Sequence, residues 1–293
     1  MPMQMGCLQL FCLLCLSRCL AYNQTVGLSL AYLEKAVYCG KDSFDSWDVG
    51  EAITKGPRVN SSQVRFVESE KTEAAAGVGR MLEPDGCLVA MRGTLGTISS
   101  LLDAEFWLTG FNQASCPGCQ VVHGFHSAYE SIKAEIFQAL DDFGCHGHPL
   151  HLVGHSQGAA SLTYFLFDAL AAGHKVAHMY ALESPRPGNA AFSKALRSML
   201  GTTDAWRVSH YQDIVVHLPP PGLYEHALPE IYYEYREGTE YKICTIEEKT
   251  CSDQWWPWQL TGADHSWYAD INPCSCPPKA LMEPELPIRH LII

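Results

Sequence analysis

Apolar positions along this chain fall into short and long runs that alternate. The short ones are Cys87–Met91, a pair led by Val121-Val122, Leu150–Val153, Lys175–Leu182 and Trp206–His210, all of strand length and bounded by turn residues. The longer runs repeat at helical spacing. Ser127-Ala128-Tyr129-Glu130 has the form of a capping box, and Tyr129, Ile132, Ile136, Leu140 and Phe143 then recur on one face until Gly144. After Gly158 the sequence is almost continuously apolar through Tyr164–Phe167, which predicts a helix buried on most sides. Pro185, Pro187 and Gly188 break the chain before a helix from about Asn189 to Leu200 with Phe192 and Leu196 turned inward. Strands that alternate with helices need crossover connections. The predicted fold is therefore α/β, a mostly parallel central sheet flanked by helices in a single domain. Functional side chains in such sheets sit at the carboxyl ends of strands, where Thr94, Ser156 and Asp213 fall.

Residues 1–21 stand apart from this pattern. A short polar lead, an apolar run from Cys7 to Leu16 and the small residues at Cys19-Leu20-Ala21 read as a secretory signal peptide, leaving 22–293 as the domain. That run is too short to span a bilayer, and no later segment is long and apolar enough. Secretion fits the sequons at Asn23 and Asn60, which are candidate glycosylation sites. Of the thirteen cysteines, nine remain after residue 21, enough for several disulfides and one odd thiol. A net charge of −12 provides no basic stripe for phosphates, so nucleic acid is excluded as a partner, and attraction to anionic lipid surfaces is disfavoured.

The chemistry concentrates at Gly154-His155-Ser156-Gln157-Gly158, a G-x-S-x-G between a strand and a helix. That context is the nucleophile elbow, in which a sharp turn lifts a serine hydroxyl clear of the sheet. A serine needs a base to take its proton and an acid to fix that base, and in α/β-hydrolases these follow in the order Ser, Asp, His. Asp213 suits the acid. Spacing leaves two histidines for the base, His265 and His226. Cys116-Pro117-Gly118-Cys119 reads as a redox motif or as half a zinc site with His123 and His126; the second cysteine–histidine interval is too short for a zinc finger and the expected compartment is oxidising, so no metal is expected. The cluster His146, His148 and His151 reads as a solvated turn.

Six segments in order resemble the class 3 lipases, the fungal-type secreted lipases: Val89–Thr94, His123-Gly124-Phe125, Gly154–Gly158, Ser184-Pro185-Arg186-Pro187-Gly188-Asn189, Asp213–Pro220 and Asp264–Tyr268. The resemblance implies an α/β-hydrolase fold with Ser156 as nucleophile, Asp213 as acid and His265 as base, and it decides against His226. It implies Thr94 and Gln157 as the oxyanion-hole residues. It further implies bridges Cys116–Cys119 and Cys244–Cys251 and a tie from Cys39 to Cys274 or Cys276, of which Cys274 is taken as the partner; Cys87 and Cys145 stay unassigned. No cofactor is implied. The expected activity is carboxylic ester hydrolysis through an acyl-enzyme, on a triacylglycerol or other lipid ester at an oil–water or membrane interface. Phospholipase A1, feruloyl esterase and an inactive lipid-binding member are the alternatives.

The chain departs from the family where a lid follows the oxyanion residue. Leu95–Phe106 carries Ser99-Ser100 in place of a lid tryptophan, although Ile98, Leu101 and Leu102 keep an apolar face. Leu101 and Leu102 are candidate substrate contacts. Trp255, Trp256 and Trp258 are either a packed surface cluster or an acyl-groove wall and lipid anchor.

Overall fold

The computed structural model describes residues 22–95, 105–272 and 274–276, so the expected signal peptide and the lid residues Leu101 and Leu102 lie outside the described residues. The main sheet begins with an antiparallel hairpin, β1 (Arg58–Glu68) and β2 (Ala75–Glu83), followed by β3 (Asp85–Arg92). Two short strands, β4 (Leu108–Gly110) and β5 (Gln120–Val122), form a separate antiparallel pair. The centre of the main sheet is then built by β6 (Leu150–His155), β7 (Val176–Leu182), β8 (Asp204–His210) and β9 (Glu230–Tyr233), and β10 (Lys242–Cys244) closes the far edge. The order is β1-β2-β3-β6-β7-β8-β9-β10, parallel from β3 to β9 and antiparallel at both ends. This is the α/β-hydrolase fold, in one domain.

Side chains of the central strands alternate between two cores, because successive residues of a strand point to opposite faces. Cys87, Val89 and Met91 of β3 and Leu150 and Leu152 of β6 join one core; Leu88, Ala90 and Val153 join the other. Helix α1 (Gln24–Val37) covers the second face through Leu30, Leu33 and Val37, beside the short helices α2 (Lys41–Asp45) and α3 (Ala52–Lys55). The first face is covered by α4 (His123–Asp142), α5 (Gln157–Ala171) and α6 (Ala190–Met199). Both faces being covered explains why the central strands read as nearly continuous apolar runs.

α4 begins four residues before the expected capping box. Its first N–H groups are satisfied by the chain ahead of β4: His123 donates to the Trp107 carbonyl (2.9 Å) and Gly124 to the Glu105 carbonyl (3.0 Å). Backbone partners thus did the work assigned to Ser127. α6 starts where predicted, with Asn189 accepting from the Phe192 N–H (3.0 Å).

Among the described residues, four disulfides join Cys39–Cys276, Cys87–Cys145, Cys116–Cys119 and Cys244–Cys251. The choice of Cys274 as the partner of Cys39 is corrected: Cys276 makes that bridge, and the Cys274 thiol instead faces His155 Nδ1 at 3.8 Å. Cys87–Cys145 pins β3 to the turn after α4. Asn23 is exposed at the start of α1, where its side chain accepts from the Val26 N–H; the Asn60 amide, half-buried on β1, donates to Gln63.

Candidate active site

The turn from β6 into α5 forces Ser156 to φ 57°, ψ −131°, a conformation L-residues rarely adopt and one that persists only where the surroundings over-determine it. The flanking glycine explains how. A Cβ on Gly158 would lie 2.3 Å from the Arg92 carbonyl oxygen, so only glycine lets α5 pass this close to the end of β3. Gly93 is similarly confined, its absent Cβ falling 2.7 Å from Ser156 Cβ. These contacts bring the segment after β3 against the serine. Thr94 and Gln157 consequently line one recess together with Gly93 and Gly158.

Ser156 Oγ lies 2.8 Å from His265 Nε2, and His265 Nδ1 lies 2.9 Å from Asp213 Oδ2. These partners fix the tautomer: Nδ1–H donates to Asp213, leaving Nε2 to accept the serine hydroxyl. All three side chains are buried. Asp213 follows β8, and its Oδ1 accepts the Val215 N–H (2.8 Å). His265 lies on the short 3-10 helix Gly262–Ser266, which is tied to the chain on either side of Asp213 by Ile214 donating to the Thr261 carbonyl and Thr261 to that of Gln212. Burial by itself would raise the Asp213 carboxyl; the neighbouring His265 and the hydrogen bonds from His265 and Val215 outweigh it and hold Asp213 below the usual carboxylate range.

A second imidazole braces the first. His155 packs on His265 with ring centroids 4.7 Å apart, donates from Nε2 to the His265 carbonyl (2.9 Å), and accepts the Tyr38 hydroxyl at Nδ1 (2.8 Å). Tyr38 in turn accepts the Gly93 N–H (2.9 Å). Burial pushes the His155 pKa down and keeps the ring neutral, as this arrangement requires. A buried relay thus links the Gly93–Thr94 segment to the backbone of His265. Sequence reasoning missed Tyr38 and His155, although His155 stood inside the elbow motif.

Arg186 plays a comparable part on the other side. Fully buried, it grips the Glu247 carboxylate with two bonds (2.9 and 2.7 Å) and donates to the His217 and Pro219 carbonyls (2.8 and 3.1 Å). It thereby fastens the segment running on from Asp213 to the loop closed by Cys244–Cys251. Glu247 is drawn up by burial, but Arg186 outweighs this and leaves it below the usual glutamate range.

The other candidates separate clearly. His226 is buried 2.9 Å from the Val216 carbonyl through Nε2, and burial with nearby Arg207 and Arg186 pushes its pKa far down; it is a neutral core imidazole. The cysteines of the C-x-x-C are bonded to each other, and His123 stacks on Trp107. The three tryptophans are not one unit. Trp255 donates to the Tyr232 hydroxyl (2.7 Å) and packs edge-on to Tyr211, whereas Trp256 and Trp258 stack on each other at 5.1 Å with 63% and 77% of their surfaces exposed. His146, His148 and His151 divide likewise: His148 pairs with Asp85 on the surface, while His151 is buried against His178.

Residues 88–223 match the family model described as lipase (class 3). The secreted mono- and diacylglycerol lipase A of Penicillium cyclopium is 31% identical over 170 residues, spanning 57% of this chain and 54% of that protein. A lipase of Rhizopus niveus is 29% identical over 198 residues, spanning 64% of this chain and 49% of that protein. The chain thus spans about half the length of the curated relatives it matches. Among solved structures, lipase II from Rhizopus niveus superposes with a TM-score of 0.74 at 24% identity, covering 87% of this chain and 98% of that one.

Proposed function

We propose that this chain, whose residues 88–223 match the class 3 lipase family model, is a member of that family and a secreted serine carboxylic ester hydrolase, a lipase that cleaves acylglycerols through an acyl-enzyme. The observation that carries the reading is the unbroken series Ser156–His265–Asp213, bonded at 2.8 and 2.9 Å. In this mechanism His265 Nε2 takes the proton from Ser156 Oγ as that oxygen attacks the ester carbonyl. The N–H groups of Thr94 and Gln157 stabilise the resulting oxyanion, each donor of this kind contributing about 3 kcal/mol in hydrolases. The imidazolium, held by Asp213, returns its proton to the departing glycerol oxygen, and the C–O ester bond breaks. Water, deprotonated by the same imidazole, then attacks the acyl-serine, and the fatty acid leaves as Ser156 regains its proton.

Acylglycerol as substrate is supported by the Penicillium relative, named for mono- and diacylglycerol. The exposed Trp256–Trp258 stack suits contact with a lipid surface, since tryptophan favours polar–apolar boundaries. Export through a signal peptide at 1–21 accords with four disulfides, which persist in oxidising compartments, and with relatives named as secreted. No helix among the described residues is long and apolar enough to cross a membrane.

The test pairs a mechanism probe with a substrate panel. An organophosphonate labels Ser156 stoichiometrically, and Ser156→Ala abolishes hydrolysis with thermal stability nearly unchanged. Labelling of another residue refutes the assignment. Emulsified triolein, diacylglycerol, phosphatidylcholine and methyl ferulate then rank the substrates, and activity on ferulate with none on acylglycerol overturns the lipase reading.

A further inference from the structure

Glu183, the residue after β7, has three properties that belong together. It holds φ at 51°, where a glycine is the ordinary occupant, yet it carries a long charged side chain into the interior. That side chain has no solvent exposure. Its oxygens are unequally served: Oε2 accepts the His210 N–H (3.2 Å), whereas Oε1 has no donor. Buried carboxylate oxygens are not left orphaned without reason. Beside Glu183 lies Asp213, and the two carboxyl groups and the His265 ring each bring an atom within 4.8 Å of the others.

Two carboxylates this close cannot both be ionised in a buried site, so they share one proton. The surrounding donors decide where it rests. Asp213 already receives the His265 Nδ1–H and the Val215 N–H, both of which favour its anion, while Glu183 receives only the longer bond from His210. We propose that Glu183 is a positioning residue that stays protonated and donates its hydroxyl to Asp213, extending the series to Ser156–His265–Asp213–Glu183; this rests on the reading of the first three as the hydrolytic triad. Besides Asp213 and His265, the groups facing Glu183 are Arg207 of β8 and the backbone of His210, whose ring turns away to the Asp264 and Arg236 carbonyls. Arg207 Nη2 lies 2.9 Å from Glu230, its Nε and Nη1 have no hydrogen-bond partner among the described residues, and its charge favours the Glu183 anion less strongly than burial and Asp213 oppose it. Burial, and after it the charge of Asp213, pushes the Glu183 carboxyl far above its ordinary range.

The donated proton holds Asp213 in line with His265 and draws off part of its charge. Losing it leaves Asp213 less well oriented and more attractive to an imidazolium. His265 then stays protonated to higher pH, and the acid limb of the rate profile moves upward.

Glu183→Gln keeps a neutral donor, whereas Glu183→Leu removes it at similar volume. On dissolved p-nitrophenyl butyrate, the expected result is that E183Q retains wild-type kcat within a small factor and an unmoved acid limb. E183L loses about tenfold in kcat, the scale of one hydrogen bond to a charged group, with KM unchanged and the acid limb of kcat/KM shifted to higher pH. Infrared difference spectroscopy of the full chain at neutral pH shows a protonated carboxyl band that E183Q lacks. Absence of that band, equal losses in E183Q and E183L, or three superimposable pH profiles overturns the proposal. Should E183L fail to fold, the band and the E183Q profile still decide. Ser156→Ala in the same assay separates the two ideas: retained activity there sinks the triad itself, and its loss beside an indifferent Glu183 sinks only the extension.

Discussion

Arg186 offers the sharpest test of how the site is held. Arg186→Met preserves most of the volume and apolar stem but removes five N–H donors from a position whose side chain is 1% exposed. The Glu247 carboxylate, 22% exposed on its side chain, then keeps only the His226 N–H, and the His217 and Pro219 carbonyls lose their donor. Breaking one partner of a buried ion pair costs about 3–5 kcal/mol, because the remaining charge is stranded. For a domain this size each kcal/mol shifts the melting temperature by about 2–4 °C, so R186M should melt roughly 10 °C lower. The pH dependence supplies the sign. In the native chain Glu247 is held below its ordinary range, which contributes stability above that range and loses it as pH falls through the lowered pKa. Without Arg186, the His226 N–H and the charge of Arg207 still favour the Glu247 anion but the largest opposing contribution to burial is gone, so the Glu247 pKa rises, the carboxyl takes up a proton earlier on acidification and the penalty shrinks. The difference between wild type and R186M, followed by calorimetry from neutral to mildly acidic pH, should therefore narrow. Adding Glu247→Gln to R186M should recover much of the loss at neutral pH. A penalty that is constant with pH and indifferent to E247Q would mean that Arg186 acts through packing alone.

Two further outcomes follow from the separated candidates. His265→Ala should cost several orders of magnitude in turnover, while His226→Ala should act mainly on stability by leaving the Val216 carbonyl unserved; the reverse pattern would move the base. Trp256→Ala with Trp258→Ala should reduce activity on emulsified long-chain triacylglycerol far more than on dissolved butyrate ester, with stability intact, whereas Trp255→Ala should lower the melting temperature instead. Equal losses on both substrates in the double variant would make the stacked pair structural.

The parts of the molecule that could be read from sequence are those governed by local pattern. β3, β6, β7 and β8 are buried on both faces, so their apolar runs are conspicuous, and the elbow announced itself through glycines that steric contact requires. The edge strand β1 escaped notice because a half-exposed strand carries a mixed sequence, as the Arg58–Glu68 run of polar and apolar residues shows, and the far edge β10 is only three residues long. The capping box at Ser127 failed for a different reason: distant backbone carbonyls served the helix start. Non-local events were invisible altogether. Nothing in the spacing of Cys87 and Cys145 pairs them, and Cys276 displaced Cys274 by geometry set elsewhere in the fold. Glu183 was passed over within a stretch valued for its prolines, because its meaning depends on Asp213 lying beside it. The tryptophans were grouped by adjacency, and only a tyrosine hydroxyl from β9 separates Trp255 from its neighbours.

The Cys39–Cys276 bridge joins residues 237 positions apart, so it turns nearly all of the folded chain into a covalent ring. A protease that nicks any loop inside that ring opens a circle and releases nothing: the pieces run as one band without reductant and separate only when the bridge is reduced. The ring is sealed beside Tyr38 at one end and a few residues beyond His265 at the other, so the seam of the circle lies against the relay that braces the imidazole. Mild reduction should therefore loosen that corner of the molecule first, and lost turnover should precede lost helix and sheet.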